Sequence, residues 1–155
     1  MRIAKVYLLK LHAEGQLPYA SLLRNLPHTD VVVRSCEAWL EQHFAEDDAI
    51  RHVIAQAAIP ERTLKRRFKA ATGSTLIERV QVLRVEEAKR QLEQTSLAVD
   101  EVSYSVGYED ASFFRRLFKR LTGLSPSHYR RMFRPVLSAG DGPSEAPSVR
   151  RSSAK

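Results

Sequence analysis

Two clusters of basic side chains recur at a fixed distance along the chain. Residues 66–73 read RRFKAATG and residues 116–123 read RLFKRLTG, identical at five of eight positions and offset by 50. In helical register Arg62, Lys65, Arg66 and Lys69 fall on one face of the first cluster, and Ser112, Arg115, Arg116 and Lys119 on the matching face of the second. Leu64, Phe68 and Ala71, and then Phe114, Phe118 and Leu121, form the opposite, apolar faces. The chemistry open to the basic faces is anion recognition. A guanidinium is a planar fork that can take guanine O6 and N7 together, whereas an ammonium acts more often as a point charge on phosphate. The repeated Phe is expected to pack inward rather than stack on bases. Taken singly, each Lys or Arg has a bland alternative, a solvated surface charge. Two matched faces at the same place in two repeats are harder to assign to solvation alone.

Charge distribution sharpens this reading. The 155 residues carry a formal charge of +7, which points to acidic partners. Arg62–Lys69 holds five bases and no acid, and Ala111–Arg134 holds seven bases and no acid. Acids gather elsewhere, as at Glu86, Glu87 and Glu93. A lone cysteine, Cys36, reads as a small core residue. No apolar run is long enough to span a bilayer, and the segment MRIAKVYLLKLHAEG is interrupted by Lys10 and lacks a small-residue cleavage site, so it does not read as a signal peptide.

The elements that must position these faces are all helices. Abundant Ala, Leu, Arg, Lys, Glu and Gln with few alternating runs predict an all-α fold. Asp30 is placed to cap a helix to about Phe44, with Val32, Cys36, Trp39 and Leu40 inward. Acids at 46–48 open a helix over 49–57; a turn at Ala58 and Ile59 leads through Pro60 to a helix over 61–72 that Gly73 stops. Thr75 and Glu78 fit a capping box for a long helix to about Gln94, with Leu76, Val80, Leu83, Glu87 and Leu92 as an imperfect apolar stripe. The second unit repeats the plan: a helix from about Ala98 to Ser105, a turn at Gly107, an Asp110 cap, a helix to Thr122 stopped by Gly123, and a last helix from Ser125-Pro126 to about Met132. Each basic octet thus lies on the second helix of a helix-turn-helix, the element that can enter a major groove. The intervening rod, about 20 residues at 1.5 Å each, is roughly 30 Å long, close to the roughly 34 Å of one DNA turn. One chain could therefore set two recognition helices into successive major grooves, reading two dissimilar half-sites.

Residues from about 31 to 135 resemble the DNA-binding domain of AraC/XylS-type transcription regulators. The match runs through ERTLKRRFKAATG, LRVEEAKRQLEQT and VGYEDASFFRRLFKRLTGLSPSHYRR. The resemblance implies seven homeodomain-like helices in two helix-turn-helix units, about 49–73 and 98–123, joined by a linker helix over 75–94. By motif position it assigns base reading to Arg62, Lys65 and Arg66 on the first recognition helix, and to Ala111, Ser112, Arg115 and Arg116 on the second. Ala111 is too short to read much beyond a thymine methyl, which leaves the second head leaning on Ser112, Arg115 and Arg116. Arg67, Lys69, Lys119, Arg120, Arg130 and Arg131 are the expected phosphate contacts. The first unit departs from the family pattern: Ala58 stands where Gly is usual, Ile54 where a small residue is usual, and Pro60 where a capping hydroxyl is usual, while Glu61 adds a negative charge. That unit is expected to be less rigid or slightly rotated. Residues 1–30 resemble the end and linker of a preceding sensor domain, of the class I glutamine-amidotransferase-like type, absent from this chain. Residues 136–155, small and polar, are expected to be disordered.

The resulting expectation is a bacterial, cytoplasmic, nucleoid-associated regulator, an activator by preference, that binds double-stranded DNA as a monomer without cofactor or metal. Dimerisation would need the missing N-terminal domain; RNA polymerase is the second expected partner. An enzyme is disfavoured, because His12, His28, His43, His52 and His128 lack metal-ligand spacing and no nucleophile elbow or Gly-rich phosphate loop occurs. The alternatives are non-specific nucleic-acid binding and a polymerase-interaction module.

Overall fold

A computed structural model describes residues 27–134. The readings of residues 1–26 and 135–155 fall outside it. The described residues form seven helices and no strand: α1 (Val31–His43), α2 (Ala49–Ala57), α3 (Glu61–Thr72), α4 (Leu76–Gln94), α5 (Val99–Ser105), α6 (Ala111–Thr122) and α7 (Pro126–Phe133).

The helix ends follow from local chemistry. The Asp30 carboxylate accepts the Val32 and Val33 N–H groups at the start of α1. Thr75 and Glu78 form a reciprocal capping box on α4, at 3.1 and 2.8 Å. Asp110 accepts the Ser112 and Phe113 N–H groups on α6, and Ser125 accepts that of His128 on α7. Gly73 and Gly123 stop α3 and α6 in the left-handed conformation, at φ 79° and 82°. The acids at 46–48 precede α2, which starts at Ala49. Asp48 sits at the N-cap but makes no side-chain capping bond, and Glu46 instead holds His52.

Two cores form, and α4 serves both. Val33, Cys36 and Leu40 of α1, Ala49 and Val53 of α2, and Leu64 and Phe68 of α3 pack on Leu76 and Val80 in the first half of α4. Val82, Val85, Ala88 and Leu92 in the second half pack with Val102, Val106, Phe114, Leu117, Phe118, Leu121 and Tyr129 of the second unit. Two expectations are corrected here. On α1 Val33 joins Cys36 and Leu40 as buried, while Val32 and Trp39 are only half-buried. On α4 there is no single stripe: Glu87 is half-exposed and tied to Arg90, because the helix turns one face to each core. Arg79 and Arg84 of this helix are buried, each 8% exposed.

Candidate DNA interface

The outward faces of α3 and α6 come out as the register requires. Arg62, Lys65, Arg66 and Lys69 are exposed on α3, and Ser112, Arg115, Arg116, Lys119 and Arg120 on α6, while Leu64, Phe68, Phe114 and Phe118 are fully buried beneath them. Ala111 is half-buried at the first position of α6. Beneath α3, Phe68 sits in an aliphatic core with Val33, Leu40, Val53 and Leu76, whereas in the second unit Phe114, Phe118, Tyr129 and Phe133 form a continuous run with ring centroids 4.4–5.8 Å apart.

Electrostatics divides the bases into two groups. Lys65 and Arg115 occupy equivalent positions of the two repeats, and each is paired with an acid. Lys65 reaches Glu61 one turn back on α3 at 2.6 Å, and Arg115 reaches Asp100 on α5. These pairs are about half exposed, so they orient the side chains more than they stabilise the fold. Arg66 and Arg116, also equivalent, carry no ion pair to any described residue, and neither do Arg62, Lys119, Arg120 or Arg131. Lys69 stands 3.9 Å from Glu78.

Two expected phosphate contacts are engaged elsewhere. Arg67 makes a two-pronged pair with Asp30, facing α1. Its position in the repeat matches Leu117, which is buried, so the side chain points toward the flank of the unit. Arg130 is half-buried against the C-terminal end of α4, where its Nε donates to the Leu92 carbonyl at 3.2 Å. Burial, with the Arg134 charge nearby, pulls its pKa below the ordinary arginine value. Arg131, its neighbour, is exposed.

The first unit carries the irregularity that its sequence announces. Ala58 ends α2 in the left-handed conformation at φ 54°, the one non-glycine residue at positive φ among those described. Pro60 occupies the N-cap of α3 with no side-chain capping bond. The second unit has Gly107 at its turn, at φ 105°, and a capped α6.

Sequence reasoning missed Arg84. Its guanidinium donates to three backbone carbonyls, Phe44 (2.7 Å), Glu46 (2.9 Å) and Gly107 (3.1 Å), and lies 4.8 Å from the centroid of the Tyr108 ring. The available signal was an arginine inside a helix stripe that otherwise faces a core. Among the described residues no group of three or more His, Cys, Asp or Glu could hold a metal ion, and no helix is long and apolar enough to cross a membrane.

A pair of helix-turn-helix units on a shared helix, each presenting a basic recognition face, defines a class of regulator domain, and comparison with known proteins agrees. A family model described as a helix-turn-helix domain matches residues 53–132. The chain belongs to the AraC-type helix-turn-helix family. It is 33% identical over 111 residues to the HTH-type transcriptional activator RhaS of Salmonella schwarzengrund (strain CVM19633), a match covering 72% of this chain and 40% of that protein. The chain thus spans well under half the length of the curated relatives it matches. The DNA-binding domain of AdpA, a global transcriptional factor solved in complex with a target DNA, superposes with a TM-score of 0.65 at 32% identity, over 72% of this chain and all of that one. The C-terminal domain of AraT, a response regulator from Geobacillus stearothermophilus, gives 0.66 at 28% identity, over 70% and 90% of the two chains.

Proposed function

We propose that the chain is a sequence-specific DNA-binding transcription regulator that sets α3 and α6 into successive major grooves of one duplex. The observation that carries this reading is the equivalence of Arg66 and Arg116. The same exposed arginine, without an acidic partner among the described residues, recurs at the same place on two recognition helices. The linker is matched to the task, since the 19 residues of α4 make a rod about 28 Å long, against roughly 34 Å for a DNA turn. The DNA complex of the AdpA domain and the activator role of RhaS support the assignment of class.

In this reading Arg62, Lys65, Arg66, Ser112, Arg115 and Arg116 approach base edges. Lys69, Lys119, Arg120 and Arg131 hold phosphates, while Arg67 and Arg130 support the fold. Regulation is by activation, in the cytoplasm of a bacterium at the nucleoid. The DNA-bound form is monomeric, RNA polymerase is the second partner, and no catalysis is involved. As a domain, about 31–135 is the DNA-binding unit.

Selection of bound duplexes from a random pool, with the intact chain at near-physiological salt, tests this. Two enriched boxes about 10 bp apart are expected, and Arg116→Ala should cost about 1–3 kcal/mol at one base step and relax preference there. Equal loss on selected and random DNA would make Arg116 a phosphate contact. Binding without enrichment would make the chain a non-specific nucleic-acid binder.

A further inference from the structure

We propose that Arg84 is a specificity-determining residue that acts without touching DNA. By tying the backbones of the two helix-turn-helix units together, it sets the one spacing of two half-sites that the chain accepts. The inference rests on the reading that both units engage DNA.

The argument begins with how little else joins the units. Each hangs on α4 through its own core, and the substantial helix contacts among the described residues lie within one unit or against α4. Between the units lies an open cleft of about 270 Å³, lined among others by Asp47, Arg51, Ile77, Gln81 and Phe113. A single helix of this length can bend, and each unit could rock on it independently.

Arg84 closes that freedom at one point. It projects from the middle of α4, between Val80 of the first core and Val85 of the second. Two of its donors take the carbonyls of Phe44 and Glu46, in the connection between α1 and α2. A third takes the carbonyl of Gly107, the turn residue of the second unit. The approach is close enough to need a glycine. A Cβ at position 107 would lie 2.7 Å from the Ala45 carbonyl oxygen and 2.9 Å from the Arg84 Cζ. The turn of the second unit thus abuts the first unit's backbone, with a guanidinium between them. The planar fork matters, because several donors in fixed directions lock an angle, which a lysine ammonium cannot do. The Tyr108 ring, stacked on the guanidinium, shields it from water.

Spacing follows from rigidity. One inserted base pair moves a half-site by about 3.4 Å and rotates it by about 35°. Two heads locked as one body cannot follow that displacement, whereas two heads rocking on α4 can follow part of it.

The test uses the intact chain and duplexes carrying the two selected boxes at the preferred spacing and at one base pair more and less. The wild type should lose about tenfold or more for either change, comparable to a base mismatch. Arg84→Lys and Arg84→Met should cut that penalty to about threefold or less, with affinity for a single box unchanged. Because Arg84→Met leaves buried carbonyls unpaired and so puts folding at risk, Arg84→Lys, which keeps the charge and loses the fork, is measured beside it. Independently of DNA, spin labels at Gln56→Cys and Ser127→Cys in a Cys36→Ala background should give a narrow distance distribution that Arg84→Lys broadens. A folded Arg84 variant that keeps the wild-type penalty and the narrow distribution overturns the proposal, as does a wild type indifferent to spacing. A wild type that selects no two-box site refutes the functional reading itself, and the proposal with it; the label distances then still decide whether Arg84 couples the units.

Discussion

Arg67 donates to both carboxylate oxygens of Asp30, from Nε at 2.9 Å and from Nη2 at 2.8 Å, across 37 residues of sequence. The same carboxylate caps α1. One side chain therefore fixes where the first helix begins and how α3 lies against it. Arg67→Ala should lower the melting temperature by a few degrees and leave both DNA affinity and its salt dependence unchanged. Thermal unfolding and a salt titration of binding check this together; a shallower salt slope would return Arg67 to the phosphate set.

The pair also gives stability an acid limb. Hydrogen bonds from Arg67, with those from the Val33 and Val32 N–H groups, hold the Asp30 carboxyl below its usual range against the opposing effect of burial. Arg90 does the same for Glu87. Since the folded-state values are depressed, the stabilisation is complete above the unfolded carboxylate pKa of about 4 and is lost as pH falls through the folded values. Asp30→Asn should be less stable than the wild type at neutral pH, and the two should converge as pH falls below about 4. Urea midpoints across that range would show convergence or its absence.

At the turn of the first unit, Ala58 holds φ 54°. An L-residue with a Cβ is disfavoured there by about 1–2 kcal/mol, and glycine returns part of this as greater freedom in the unfolded chain. Ala58→Gly is expected to stabilise the fold by about 0.5–1 kcal/mol, seen as a higher urea midpoint at constant slope.

Arg130 and Arg131 are adjacent in sequence and should separate cleanly. Arg130→Ala leaves the Leu92 carbonyl without its side-chain donor, which should cost about 1 kcal/mol of stability with little change in the salt slope of binding. Arg131→Ala should change stability by less than about 0.5 kcal/mol and reduce the salt slope by about 1. The opposite pattern would exchange their roles.

Most of the helices were legible because their ends are written in single residues: Asp30, Thr75, Asp110, Ser125, Gly73 and Gly123 each do locally what their side chains favour. The outward faces of α3 and α6 were legible for the same reason, since the period of a helix decides which residues face out. What escaped was the use of arginine inside the protein. Arg67 aligns with the buried Leu117 in the repeat, a signal that basic composition masked. Arg84 serves carbonyls from segments 40 and 23 residues away, and no local pattern reports a partner that folding alone brings near. The double allegiance of α4 was hidden likewise: a helix shared between two cores shows a broken stripe that reads as a weak single one.

The two octets share more than charge. In each, the threonine hydroxyl donates to the phenylalanine carbonyl four residues back, Thr72 to Phe68 at 2.8 Å and Thr122 to Phe118 at 2.7 Å. Each hydroxyl also accepts the N–H two residues on, from Ser74 and from Leu124, both at 3.2 Å. The glycine N–H closes on the lysine carbonyl in both, Gly73 on Lys69 and Gly123 on Lys119. Phe, Thr and Gly thus preserve a joint, the same mechanical coupling cast twice, and Arg66 with Lys69, and Arg116 with Lys119 and Arg120, face outward from it. A reading surface mounted on such a joint is interchangeable in principle. Exposed residues near the C-terminal end of α6 transplanted onto α3 would meet the same joint, so one outward face can be rewritten without disturbing the fold beneath it.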